Sequence, residues 1–87
     1  MLANSGIQLL LYNGLMDYRE RIVSDSSIRF GKSIIKGTRI AVSDVLEMLA
    51  AGDSNLDIVE EFPQLSLDDI SACLAFAADR DRITRIA

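Results

Sequence analysis

Hydrophobic and polar positions along this chain follow two different rhythms. Between residues 18 and 42 the apolar residues come in short, β-branched runs, whereas beyond Val42 they recur at the three- and four-residue spacing of a helix face. The β-favouring part centres on Ile34-Ile35 and Ile40-Ala41-Val42, with Lys36-Gly37-Thr38-Arg39 between them. That tetrapeptide predicts a tight hairpin turn in which Gly37 supplies a positive φ and Lys36 and Arg39 stay at the exposed tip. Tyr18 to Val23 and Ile28-Arg29-Phe30 read as two further short strands, divided by the turn-rich Ser24-Asp25-Ser26-Ser27.

Three helices follow. Asp44 with Glu47 makes a capping pair for the first, Val45, Leu46 and Leu49 form its buried stripe, and Gly52 stops it. Ser54 with Asp57 starts the second, whose Leu56, Val59 and Phe62 recur every third residue until Pro63 ends it. Ser66 with Asp69 starts the third, where Ile70, Cys73, Leu74 and Ala77 follow the i, i+3, i+4, i+7 pattern. Phe76 falls on the edge of that stripe, as a core aromatic or as part of a partner surface. The expected fold is mainly α: a three-helix helix-turn-helix domain of homeodomain-like type, preceded by short β-strands and a hairpin. It occupies residues 16–87, with residues 1–15 as a peripheral extension and Met16 as a natural start.

Size and charge sharpen this. A chain of 87 residues with 49% hydrophobic residues is one small domain with a marginal core, so self-association as a homodimer is expected. The lone Cys73 fits a reducing cytoplasm, and no stretch is an export signal or a membrane span. The net charge of −4 conceals a partition. Arg19 to Arg39 carries +4, Asp44 to Asp79 carries −9 without a single cation, and the tail from Arg80 carries +2.

Catalytic chemistry finds little to work with. The chain has no histidine, which removes the usual general base and the commonest metal ligand. Gly31-Lys32-Ser33 resembles the end of a phosphate-binding loop, but Ser26 stands where that loop needs glycine and a strand follows instead of a helix. Asp68-Asp69 is explained by capping, since adjacent helical residues diverge. No enzyme and no cofactor is expected. An ordinary major-groove reader would present Arg, Lys, Asn or Gln early on the third helix, and this one presents Asp68, Asp69 and Ser71. Any nucleic-acid contact therefore falls to the basic part, through Arg29, Lys32, Lys36, Thr38 and Arg39.

Arg21-Ile22, Gly31-Lys32, Ile35-Lys36-Gly37-Thr38-Arg39-Ile40, Val45-Leu46, Gly52, Phe62-Pro63, Leu65 and Ala75-Phe76-Ala77 together resemble the family called domain of unknown function 433. The resemblance runs from about Met16 to Arg82, and Ser33 stands where the family usually has proline. It implies a small helix-turn-helix protein preceded by strands. Some members resemble VapB-type antitoxins, which hold a PIN-like ribonuclease toxin inactive. On that reading Asp57, Glu60, Glu61, Asp68 and Asp69 mimic phosphate in the toxin's basic groove, or Arg80, Arg82 and Arg85 reach its acidic metal site, with Phe76 at the interface. The rival expectations are a DNA-binding regulator acting on its own operator through Lys36 and Arg39, and a plain dimeric adaptor.

Overall fold

The computed structural model describes residues 17–86, with side chains described through Arg82. The expectations for residues 1–15 and for the Arg85 side chain lie outside it. The chain enters through a 3-10 turn, Tyr18–Glu20, where a strand was expected. Asp17 is the reason. Its carboxylate accepts from the Arg19 backbone N–H at 3.1 Å and from Arg19 Nε at 3.0 Å, a local cap that outcompetes extended backbone.

Strand β1 (Ile22–Ser24) pairs antiparallel with β2 (Ser33–Ile35), placing Ile22 opposite Ile35 and Ser24 opposite Ser33. The partner of β2 is thus β1. The returning limb Ile40-Ala41-Val42 contributes one bridge, Ala41 to Ile34, because Val42 already opens a helix. The tight turn itself is as expected. Gly37 has φ +83, and the Thr38 N–H donates to the Ile35 carbonyl at 2.9 Å. Ile28-Arg29-Phe30 is not a strand. Arg29, Phe30 and Gly31 form a short left-handed turn instead, with φ of +51, +59 and +80.

Helices α1 (Val42–Ala50), α2 (Asn55–Glu61) and α3 (Leu67–Ile86) complete the fold. Asp44 does cap α1, but from its third position, accepting from the Ala41 N–H at 2.9 Å, so Glu47 is not its reciprocal partner. Gly52 ends α1 at φ +106 while the Asp53 N–H reaches the Met48 carbonyl at 3.1 Å and the Gly52 N–H that of Leu49 at 3.0 Å, a Schellman closure. The Ser54–Asp57 and Ser66–Asp69 pairs both form reciprocal caps. A five-residue connection through Pro63 joins α2 to α3.

Ile22, Ile35, Val45, Ile58, Leu65, Ile70, Ala72 and Cys73 make the core. Ile34 and Ile35 are both buried although neighbours on a strand point to opposite faces, so the sheet is covered on both sides. Two core assignments change. Ile58, not Leu56, is the buried residue of α2, and Ala72 and Ala75 are buried on α3 while Leu74 is half exposed.

Candidate partner-binding surfaces

The acidic side begins at α2. Its capping pair consumes Asp57, whose carboxylate accepts from the Ser54 N–H at 3.0 Å. That backbone bond, with the Ser54 hydroxyl, holds the Asp57 carboxyl below its ordinary value. Asp69 is likewise spent. It is only 8% exposed, one oxygen accepting from the Ser66 N–H at 2.9 Å and the other from Arg21 Nη1 at 3.1 Å. Arg21 also reaches Asp68 at 3.5 Å. Glu60, Glu61 and Asp68 remain exposed. Leu56 is 62% exposed and stands one helical turn before Glu60. Of the five expected carboxylates, four are exposed, Asp57 among them although it caps α2, and Asp69 is buried at the start of α3.

The basic side divides in the same way. Lys32, Lys36 and Arg39 are exposed, the last two on either side of Gly37. Thr38 is occupied: its hydroxyl donates to the Ile35 carbonyl at 2.8 Å and accepts from the Ile40 N–H at 2.9 Å. Arg29 is occupied too. Its Nη1 donates to the Arg39 carbonyl and to the Asp44 carboxylate, both at 2.9 Å. The guanidinium, followed by the Ala41 N–H, pulls the Asp44 carboxyl below its ordinary value. Arg21 and Arg29 therefore carry the front's positive charge across to the helices at two points, while the turn cations stay outside.

The far part of α3 is tied to the entry turn. Tyr18 and Phe76 pack edge to face with ring centres 5.5 Å apart. The Tyr18 hydroxyl donates to the Asp79 carboxylate, which also pairs with Arg82. The shared hydrogen bond raises the tyrosine's pKa and lowers the aspartate's. Arg80 sits over the Phe76 ring, its guanidinium carbon 5.6 Å from the centre. Phe76 is thus half core and half surface. Its outer side, with Val42, Leu46 and Ala77, lines an open apolar groove of about 570 Å³ edged by Lys32 and Arg80. On the other flank of α1 a second groove of about 400 Å³ is floored by Ile40, Met48 and Phe62 and edged by Asp44, Glu47 and Asp53.

Sequence reasoning missed Leu56 and Phe30 as surface features and Arg21 as the partner of Asp68 and Asp69. A signal existed for Leu56: Ile58, Phe62 and Leu65 keep a three-to-four spacing that excludes it. None existed for the other two: Arg21 is held by Asp69, 48 residues away, and Phe30 follows Arg29, which Asp44 holds from 15 residues away. Cys73 offers no chemistry. It is fully buried, and desolvation, with Asp69 nearby, pushes its thiol up to about 12. Among the described residues no helix is long and apolar enough to cross a membrane.

Curated proteins give no match. Among solved structures it is similar to the crystal structure of a DUF433 member protein from Anabaena variabilis ATCC 29413, at 23% identity and a TM-score of 0.66, over 90% of this chain and 76% of that one. The likeness supports the arrangement of strands and helices described above. A family model described as "Protein of unknown function (DUF433)" matches residues 22–77, from the first residue of β1 to the wall of the Phe76 groove. This chain belongs to the DUF433 family.

Proposed function

We propose that the protein acts by binding, as an antitoxin-like partner whose helical carboxylate face covers the basic RNA groove of a PIN-like ribonuclease. The observation that carries this reading is the exposed Leu56 one helical turn before the exposed Glu60, on helices that carry no cation between Asp44 and Asp79 and leave Glu60, Glu61 and Asp68 at the surface. An apolar anchor on a helix whose exposed charges are all acidic suits a partner with a basic rim and an apolar hollow. The missing histidine and the buried, protonated Cys73 support a role without catalysis.

The test is inhibition of a small ribonuclease encoded beside this chain, by wild type and by variants. Leu56→Asp should weaken binding about 100-fold as an anchor residue, and Glu60→Lys with Glu61→Lys about 10-fold. Truncation after Asp79 keeps the Tyr18 contact and removes Arg80, Arg82 and Arg85. Inhibition that survives truncation and fails in Leu56→Asp supports the acidic face, and the reverse pattern assigns inhibition to the arginines. A second reading, binding of operator DNA, draws on the exposed Lys32, Lys36 and Arg39. With three phosphate contacts the binding constant should fall with a slope near −3 against log salt, and Lys36→Ala with Arg39→Ala should flatten it.

A further inference from the structure

The loop between β1 and β2 ends in a feature that neither the core nor the acidic face uses. Three successive residues, Arg29, Phe30 and Gly31, take left-handed backbone, which side chains with a Cβ disfavour. The turn is closed by bonds from the Gly31 N–H to the Ile28 carbonyl at 3.1 Å and from the Lys32 N–H to the Arg29 carbonyl at 3.2 Å. It is fastened from outside by Arg29, through Asp44 and the Arg39 carbonyl. The result is a phenyl ring held entirely in solvent: Phe30 is 101% exposed. Backbone strain of this kind marks sites whose geometry something else requires.

The complement lies where the turn is fastened. Asp44, which fastens Arg29, also lines the groove between α1 and α2, so the turn that carries the ring is pinned at the groove's rim. That groove has an apolar floor, and its charged lining residues, Asp44, Glu47 and Asp53, are all acidic. The ring is followed two residues later by the exposed Lys32. A turn that presents an aromatic knob is therefore fastened to the rim of an apolar groove edged by carboxylates, and Lys32 lies on the neighbouring groove that shares Glu47 with it.

We propose that the occupant of this groove is a second copy of the chain. Phe30 of each protomer enters the groove between α1 and α2 of the other, and Lys32 meets Glu47 and Asp53. A knob fastened at the rim of a hole is self-complementary under a two-fold axis, so the contact closes as a dimer and does not propagate. Two aromatic side chains bury about 300–500 Å² between them, well short of the roughly 1,600 Å² of a standard interface. The dimer is accordingly weak, with a dissociation constant on the order of 10–100 µM. The association needs neither the ribonuclease nor the Leu56 face, so it stands or falls apart from the proposed function.

Sedimentation velocity on the full chain, from about 1 µM to several hundred µM, tests it. Wild type should pass from monomer to dimer, and Phe30→Ser should stay monomeric with unchanged helix content. Glu47→Lys with Asp53→Lys should weaken the dimer about 10-fold, and adding Lys32→Glu should restore it. The chain has no tryptophan, so Phe30→Trp reports the site alone. Its emission should shift to the blue only as dimer forms. Wild type that stays monomeric overturns the proposal, as does a dimer that survives Phe30→Ser or charge reversal without rescue. Emission already blue at the lowest concentration would mean the ring is covered within its own chain, and overturns it equally.

Discussion

Two reversals flank β2, and both run through left-handed backbone. At Lys36-Gly37-Thr38 the left-handed residue is glycine, and a Cβ added there would meet nothing within 4 Å. The turn is closed by its own residues, the Thr38 N–H and hydroxyl both reaching the Ile35 carbonyl. At Arg29-Phe30-Gly31 two of the three left-handed residues carry large side chains, at a cost of about 1–2 kcal/mol each. That reversal is held from outside, by the hydrogen bonds of Arg29 to Asp44 and to the Arg39 carbonyl. One turn is made by its residue types. The other is made by the tertiary structure against them.

Removing Asp44 should break the second turn and spare the first. Asp44→Ala takes away the bond at the Ala41 N–H, worth about 1 kcal/mol as a cap, and the charge-assisted bond to Arg29, worth about 1.5–3 kcal/mol. A loss of roughly 2–4 kcal/mol in urea unfolding is expected, with exchange protection falling at Gly31 and Lys32 before Thr38. Gly37→Ala attacks the first turn. With open space around the added methyl, only the backbone conformation opposes it, and about 1 kcal/mol should be lost. Phe30→Gly should have the opposite sign. Relief of the left-handed strain outweighs the extra freedom of the unfolded chain, and the monomer should gain about 0.5 kcal/mol in the same unfolding experiment.

The same contrast explains how much of the fold is legible in the sequence. The Gly37 turn, the Ser54–Asp57 and Ser66–Asp69 caps and the Gly52 stop were legible because residues at most five positions apart determine them. The Arg29 turn was read as a strand because Ile28 and Phe30 favour extended backbone, and Asp44, 15 residues on from Arg29, overrides them. Tyr18–Glu20 was misread for a nearer reason, the side chain of Asp17. The candidate surfaces were legible as charge blocks but not as faces. Nothing in the linear pattern says that Asp69 turns inward to Arg21 while Glu60 and Glu61 stay out, because burial at a helix start depends on what the rest of the chain packs there.

Acid titration draws the comparison most finely. Asp44 holds its proton less tightly in the folded protein than in the unfolded chain, first because of Arg29 and then because of the Ala41 N–H. A depressed folded pKa means that its stabilisation is fully present above the ordinary value of 3.8 and is lost as pH falls through the lower folded value. Protonation removes the acceptor that fastens Arg29, so the left-handed turn should loosen in that window. The Gly37 turn is closed by a hydroxyl and by backbone, neither of which titrates there, and should hold. Carboxyl NMR of Asp44, followed with the amide signals of Gly31 and Gly37, separates the two. Asp44 should titrate below 3.8, with Gly31 moving in step and Gly37 unmoved until the domain unfolds. An Asp44 midpoint at or above that value, or a Gly37 signal that moves together with Gly31, would mean that the two reversals are one cooperative unit and that Asp44 does not hold the second alone.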